Sequence, residues 1–211
     1  MSAIEVLNHP LVDCHLTVLR KQSTPPGEFR QSVRRLSTLL AYSATAGIRT
    51  SEYPIETPLQ TMKGRQLVDR IGLIPILRAG IGMVEPMLDL IPTAEVWHLG
   101  LYRDETTATP VHYYSKLPPG SPVELAFILD PMLATGGSAC LALQTLMEWG
   151  VRDIKMLSIL AAPEGIEKIQ SQFPNIDVHC CAVDEGLNDQ KYIVPGLGDA
   201  GDRIFNTSGQ P

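Results

Sequence analysis

Residues 123–150 read VELAFILDPMLATGGSACLALQTLMEWG, and the order of residue types in this stretch decides the fold. Its apolar run at 125–129 predicts a strand buried on both faces, which is typical of a parallel strand packed between helices. The run ends at Asp130, and a loop of small residues follows that closes with Thr-Gly-Gly-Ser at 135–138. Apolar residues then recur at helical spacing until Gly150, so the stretch predicts a strand, a loop and a helix.

The loop at 134–138 has the chemistry of a phosphate site. Backbone N–H groups of a glycine turn point towards a bound anion, the helix dipole favours it, and the hydroxyls of Thr135 and Ser138 add donors. Asp130 is expected to face a hydroxyl-bearing part of the ligand. Neither a Walker loop nor a dinucleotide fingerprint is present, because the Gly-Lys-Thr and G-x-G-x-x-G spacings are missing. A plain helix entry capped by serine stays open as the alternative.

The same alternation of elements continues on both sides. Further apolar strands are predicted at 71–77, 96–102, 154–162 and 176–183, with a helix at 163–173. Strands that alternate with helices predict a mostly parallel sheet with right-handed crossovers. Ligands bind at the carboxyl ends of such strands, where Arg78, Arg103 and Asp130 fall. The fixed donors of an arginine suit a diphosphate, although an arginine here could equally cap a turn or pair with a carboxylate.

Two polar segments complete the candidate site. Residues 106–119 are rich in Thr, Tyr and Pro, and they are too long for a tight turn. They predict a lid, with a surface hairpin that has no role as the alternative. Residues 192–203 are dense in glycine, so their backbone can approach a flat ligand and read its edge through N–H and C=O groups. An ordinary surface turn is the alternative there.

The first 65 residues predict helices and an extended arm. Apolar residues recur at helical spacing from Phe29 to Leu40, and Leu11 and Leu16 are predicted to share the buried face of an earlier helix. Residues 50–57 alternate loosely between apolar and polar types and predict the arm.

Composition limits the class of protein. A chain of 211 residues that is 44 % hydrophobic is long enough for one sizeable core. The net charge of -6 argues against nucleic acid as the main partner, which would need a basic face. The four cysteines lack metal-ligand spacing and are expected to be reduced thiols. A leader segment and a long apolar run are both missing from the sequence, so we expect a soluble cytoplasmic protein.

Taken together, these motifs resemble the type I phosphoribosyltransferases. Asp-Pro-Met-Leu-Ala-Thr-Gly-Gly-Ser at 130–138 is similar to the uracil phosphoribosyltransferase branch, whereas most members carry two consecutive acids at its start. Three further stretches are similar to that branch: Ile-Leu-Arg-Ala-Gly at 76–80, Tyr-Arg-Asp-Glu at 102–105 and Tyr-Ile-Val-Pro-Gly-Leu-Gly-Asp-Ala-Gly-Asp at 192–202. The resemblance runs from His9 to Phe205.

The resemblance implies a fold and an activity. The fold would be α/β, with a mostly parallel central sheet flanked by helices, a helical N-terminal extension, a flexible hairpin lid and a C-terminal base-binding loop. We expect a single domain at 1–211, with N-terminal helices and arm at 1–65, a core that binds phosphoribosyl diphosphate (PRPP) at 66–183, and a uracil-binding region at 184–211. The activity would be transfer of the phosphoribosyl group of PRPP to uracil, which gives UMP and diphosphate, with Mg²⁺ bound to PRPP.

The resemblance also implies site residues. Those expected to bind PRPP are Arg78, Arg103, Asp130, Pro131, Met132, Leu133, Ala134, Thr135, Gly136, Gly137, Ser138 and Asp199. Those expected to bind uracil are Ile193, Gly198, Asp199 and Ala200. Catalytic roles would fall to Asp199, Arg103, Arg78 and Asp130. Asp199 would either position the ribose and its metal or help to take the proton from uracil N1, and no residue is expected to bind the metal in the absence of PRPP.

Other functions stay open. A sister transferase could use a purine or orotate. Orotate would need a cation for its carboxylate near residues 193–203, where Arg203 is the only candidate and Lys191 lies just before. A regulator of the same fold could bind RNA and sense UMP, although the acidic balance of the chain counts against it. Some relatives are activated by GTP, but no stretch of this sequence demands that ligand. A homo-oligomer, either a dimer or a tetramer, is expected.

Overall fold

The structure is a computed structural model, and it describes the backbone of residues 4–103, 110–115 and 117–207 and the side chains of all of these except 101–103 and 110–115. In that part of the chain the strands are β1 (Ile4–Val6), β2 (Thr50–Glu56), β3 (Thr61–Leu67), β4 (Ile71–Pro75), β5 (Glu95–Val96), β6 (Leu99–Arg103), β7 (Pro110–Ser115), β8 (Leu125–Leu129), β9 (Met132–Leu133), β10 (Asp153–Ala161), β11 (Asp177–Val183), β12 (Gly186–Leu187) and β13 (Ile193–Val194). The helices are α1 (Pro10–Arg20), α2 (Pro26–Ala44), α3 (Val84–Leu90), α4 (Gly137–Trp149), α5 (Pro163–Gln172) and α6 (Ala200–Phe205), and a 3₁₀ turn covers Ala79–Met83.

A parallel sheet forms the centre of the molecule. Its strands lie in the order β1-β11-β10-β8-β4-β5, and β9 adds to the end of β10. Each described pair within this sheet is parallel. The predicted α/β fold with a mostly parallel sheet is confirmed. Since the strands run in one direction, the residues that follow β4, β8, β10 and β11 meet at one edge.

Helices cover both faces of the sheet. On one face α1, α2, α3 and α6 pack against side chains such as Leu73 and Phe127. On the other face α4 and α5 pack against the neighbouring residues Ile74 and Ile128. Successive residues of a strand point to opposite faces, so strands that are buried on both sides read as unbroken apolar runs. This explains why the run at 125–129 could be assigned from the sequence.

The cysteines are free thiols in different surroundings. Cys180 and Cys181 are neighbours in β11 and are buried on opposite faces of the sheet. Burial raises the pKa of Cys180 to about 12 and raises that of Cys181 further. Cys140, in α4, is also buried and its pKa is raised by burial, whereas Cys14 in α1 is exposed. Free thiols at these positions are consistent with the expectation of reduced cysteines.

In the part of the chain that the structure describes, three antiparallel hairpins lie outside the central sheet. The pair β2–β3 forms the predicted arm, with Leu59 almost fully exposed at its tip. The pair β6–β7 occupies the place of the predicted lid, and its tip at 104–109 lies outside the described residues. The short pair β12–β13 leads into the glycine-rich loop near the C-terminus. No helix among the described residues is both long enough and apolar enough to cross a membrane.

Two details of the N-terminal region differ from the sequence prediction. Strand β1 was not predicted, and it pairs with β11 at the edge of the sheet. In α1 the buried face carries Val12 and Leu16, while Leu11 is exposed. Leu11 donates its backbone N–H to the capping His9 side chain, so it belongs to the first turn and lies on the solvent side.

Candidate active site

The candidate phosphate loop begins where β8 ends. The Asp130 N–H donates to Leu157 O over 3.2 Å, and Asp130 O accepts a hydrogen bond from Ser158 Oγ over 2.7 Å. Its carboxylate Oδ1 accepts the Met132 N–H over 3.2 Å, which orients the side chain at the carboxyl edge of the sheet. Strand β9 then pairs with β10, so the loop is fixed to the sheet just before its turn.

Gly136 forms the turn that opens α4. Its φ of 73° lies in the left-handed region, and it is the N-cap residue of the helix without any side-chain cap. A β-carbon at this position would lie 2.9 Å from Gly165 O, so α5 packs directly against the turn. Ser138 lies inside the first helical turn, and the alternative of an entry capped by serine is therefore wrong.

A small cavity lies at this helix terminus. It has a volume of about 120 Å³ and is lined by Asp130 and by residues 132–139. The helix behind it is 13 residues long, and the first N–H groups of such a helix have no partner within the helix. These donors and the helix dipole make the cavity suited to an anion.

Arg78 follows β4 in the neighbouring part of the same edge. The Leu77–Arg78 peptide bond is cis, and the 3₁₀ turn follows directly. The guanidinium donates from Nη2 to Asp202 Oδ1 over 3.0 Å and from Nη1 to Thr207 Oγ1 over 3.2 Å. Its side chain is 58 % exposed. The alternative of pairing with a carboxylate is thus realised, while more than half of the side chain stays open to a ligand.

Asp199 lies beside Arg78. It is the N-cap of α6, and its Oδ1 accepts the Asp202 N–H over 2.8 Å. A β-carbon placed on Gly201 would come within 3.2 Å of Asp199 Oδ1 and 3.6 Å of Arg78 Nη2. The predicted diphosphate arginine and the predicted ribose carboxylate are therefore brought together around Gly201.

The glycine-rich loop is tightly built. Ile193 and Ala200 are buried, the Val194–Pro195 bond is cis, and Gly196 has a φ of 60°. A β-carbon on Gly196 would lie 2.0 Å from Ile193 O, which only glycine can avoid. The backbone N–H and C=O groups from Ile193 to Ala200 are therefore the candidate groups for hydrogen bonding to the edge of a base.

Arg203 does not serve as a cation for a base carboxylate. Its guanidinium donates to the carbonyls of Leu19, Lys21 and Leu197, and it lies 4.3 Å above the ring centroid of Phe29. Burial lowers the pKa of this guanidinium. Because its donors are directed at backbone oxygens, Arg203 is a structural residue and is not available to the carboxylate of orotate.

Two further residues of the edge were not predicted. Asp184 follows β11 directly, and Arg20 ends α1 and forms a bidentate ion pair with it. An acid immediately after a buried strand is the same signal that singled out Asp130, so the same rule applied to β11 would have found Asp184. The residues around Arg20 in the sequence do not indicate that it pairs with an acid.

The described candidate residues lie near one another. Arg78, Asp130 and the 134–138 loop follow the carboxyl ends of β4 and β8, and Asp199 lies beside Arg78. Arg103 ends β6, and its side chain is not described. No cluster of three or more potential metal ligands occurs among the described side chains. Mg²⁺ commonly binds through one or two carboxylates plus substrate phosphates, and Asp130 and Asp199 provide such donors.

The chain has relatives among known proteins. Residues 6–207 match the family model described as uracil phosphoribosyltransferase. The chain is 54 % identical to a uracil phosphoribosyltransferase of Roseiflexus sp. (strain RS-1). The alignment covers 98 % of this chain and 100 % of the relative. It is 48 % identical to that of Symbiobacterium thermophilum, with 98 % and 100 % covered.

Solved structures show the same fold. The protein AQ2163 from Aquifex aeolicus superposes with a TM-score of 0.93 at 36 % identity, covering 99 % of this chain and 100 % of the other. An adenine phosphoribosyltransferase from Leishmania donovani superposes with a TM-score of 0.55 at 17 % identity, covering 97 % and 96 % of the two chains. The second likeness concerns the fold alone.

Proposed function

The chain belongs to the uracil phosphoribosyltransferase family, and from this premise we propose which residues at the carboxyl edge of its sheet carry out the reaction. The enzyme transfers the 5-phosphoribosyl group of PRPP to uracil, and the products are UMP and diphosphate. The observation that carries the assignment of residues is the turn at Gly136, which joins a buried strand to a helix N-terminus above an anion-sized cavity.

The 5-phosphate of PRPP is bound by residues 134–138. The N–H groups at the start of α4 donate to the phosphate oxygens, and the helix dipole favours the negative charge. Pro131, Met132 and Leu133 connect this loop to the sheet, because β9 pairs with β10. The loop is thereby held in place before PRPP arrives.

The ribose lies between two carboxylates. Asp130 accepts hydrogen bonds from the ribose hydroxyls, since its side chain is already oriented by the Met132 N–H. Asp199 faces the ribose from the opposite segment and either positions it or receives the proton from uracil N1. Asp130 and Asp199 would hold the Mg²⁺ that accompanies PRPP, and this ion supplies positive charge to the diphosphate as it leaves.

Arg78 and Arg103 stabilise the leaving diphosphate. Displacement at the anomeric carbon passes through an oxocarbenium-like state, in which negative charge develops on the departing oxygens. Positive groups fixed near that charge lower the barrier without a covalent intermediate. The uracil edge is read by the backbone of Ile193, Gly198, Asp199 and Ala200. Main-chain groups suit a neutral base, which offers two carbonyl acceptors and an N–H donor.

Assembly, regulation and location are further proposals. The exposed β2–β3 arm supports a homo-oligomer, either a dimer or a tetramer. Activation by GTP is carried over from the family resemblance, and a cytoplasmic location is proposed as it was expected from the sequence. Each is separate from the assignment of the active-site residues.

The specificity for the base can be tested directly. Purified protein is incubated with PRPP, Mg²⁺ and either uracil, orotate, cytosine or adenine, and the nucleotide product is separated by HPLC. We expect UMP from uracil and no product from the other bases. Consumption of orotate would favour the sister-transferase alternative. If no base were consumed while PRPP and RNA both bound in a filter assay at low salt, the regulator of the same fold would be favoured.

Asp130→Asn should weaken PRPP binding about fivefold, because a neutral amide accepts hydrogen bonds from the ribose less strongly than a carboxylate. Binding is measured by titration calorimetry with PRPP and Mg²⁺. Asp153→Asn is the matched control, since Asp153 is an exposed residue at the amino end of the neighbouring strand β10. Wild-type affinity for PRPP in Asp130→Asn would remove Asp130 from the ribose site.

A further inference from the structure

Arg20, Asp184 and Gly196 form a closed ring of hydrogen bonds at the carboxyl edge of the sheet. Arg20 Nη1 and Nη2 donate to Asp184 Oδ2 and Oδ1 over 2.8 and 2.6 Å. Arg20 Nη1 also donates to Gly196 O over 3.0 Å, and the Gly196 N–H donates to Asp184 Oδ2 over 2.8 Å. One ion pair therefore holds both backbone polar groups of Gly196.

Both side chains of the ion pair are mostly removed from solvent. The Asp184 side chain is 4 % exposed and that of Arg20 is 28 % exposed. Burial by itself raises the pKa of Asp184, but the hydrogen bonds from Arg20 and Gly196 and the charge of Arg20 outweigh it and leave this pKa below its ordinary value. The carboxylate is thus ionised at neutral pH, and charged hydrogen bonds of this kind are stronger and more directional than neutral ones.

Gly196 is placed in the middle of the base-binding loop. It follows Ile193 by three residues and precedes Gly198 by two, and its left-handed turn brings it directly over Ile193 O. The next carbonyl, Leu197 O, accepts a hydrogen bond from Arg203 Nη1 over 2.8 Å. The peptide groups before Gly198 are consequently fixed in orientation, and Asp199 then caps α6.

We infer that the Arg20–Asp184 pair is a positioning element for uracil, which acts by fixing the peptide groups that read the base. The inference rests on the proposed uracil site at Ile193, Gly198 and Ala200. Arg20 and Asp184 are positioning residues in this account, because they act through Gly196 and not on the base itself. A pair that served only to join α1 to the sheet would have no need to hold both polar groups of one loop residue.

The test separates binding of the base from binding of PRPP. We expect Asp184→Asn and Arg20→Lys each to raise the KM for uracil about fivefold, because each removes charged hydrogen bonds from the ring. The KM for PRPP should change less than about twofold, since the described residues that line the phosphate cavity are Asp130 and 132–139 and not those of the ring. Arg20→Lys keeps the charge and loses the bidentate geometry, so it stays informative if Asp184→Asn folds poorly.

Controls distinguish the outcomes. Asp89→Asn removes the acid of an exposed pair with Arg34, which spans 3.4 Å, and should leave both KM values unchanged. Ala200→Val narrows the proposed base site itself and should raise the KM for uracil. If only Ala200→Val raised the KM for uracil, the positioning inference would be overturned and the base site retained. If neither Ala200→Val nor the ring variants raised it, the base site would be wrong as well. Equal increases in both KM values, or a fall in thermal stability alone, would reduce the pair to a structural role.

Discussion

Arg78→Ala should lower kcat/KM on the order of 100-fold, which corresponds to about 2.7 kcal/mol of transition-state stabilisation. The expectation follows from the position of the guanidinium, which lies at the carboxyl end of β4 beside Asp199 and remains more than half exposed to a ligand. The diphosphate group gains further negative charge in the transition state, so kcat should fall as well as kcat/KM.

The structure supplies a control for this change. Arg34→Ala removes an arginine that also pairs with a carboxylate, but Arg34 lies on α2 and its partner Asp89 is exposed. That variant should keep wild-type kinetics. Steady-state assays with saturating uracil and varied PRPP give kcat and kcat/KM for both variants. If Arg78→Ala stayed within about twofold of the wild type, Arg78 would not contact the diphosphate.

Gly136→Ala should lower kcat/KM for PRPP on the order of 100-fold, because displacement of a positioned substrate by about 1 Å costs that much. The left-handed backbone conformation of Gly136 is unfavourable for alanine, and the added β-carbon would meet Gly165 O at 2.9 Å. The contact at 2.9 Å is with a backbone oxygen, so the strain can be relieved only by moving the phosphate loop or α5.

Gly120→Ala separates the cost of the left-handed backbone conformation from the effect of the contact with Gly165 O. Gly120 has a similar φ of 75°, but a β-carbon there would meet nothing within 4 Å. This variant should lose about 1 kcal/mol of unfolding free energy and keep its kinetics. Thermal unfolding and steady-state assays of both variants make the comparison. Equal kinetic effects at the two glycines would show that Gly136 does not shape the phosphate site.

The parts of the fold that the sequence predicted are those with local causes. The strand at Leu125–Leu129, the turn at Gly136 and the helix after it are encoded by neighbouring residues, so hydrophobic periodicity and glycine placement were sufficient. The positions of Arg78 and Asp130 followed from the rule that ligands bind at the carboxyl ends of parallel strands. Chain order and a parallel sheet together determine that edge.

The parts that could not be predicted depend on contacts between distant segments. Arg20 and Asp184 are 164 positions apart, and no local spacing announces an ion pair over that interval. The sequence suggested that Arg203 could bind an anionic base, but its guanidinium donates to carbonyls at the end of α1 and lies over the ring of Phe29. Only tertiary packing decides whether such a guanidinium meets a ligand or the protein itself.

The surroundings of the four cysteines have a practical consequence for labelling. Alkylating reagents attack the thiolate, and three of the thiols are both buried and shifted towards the protonated form. Cys14 alone is exposed among the four, on the helix that ends at Arg20. The unmodified chain therefore offers a single attachment point for a fluorophore or spin label, on the helix whose last residue, Arg20, donates to Gly196 O of the base loop, without prior removal of any native cysteine.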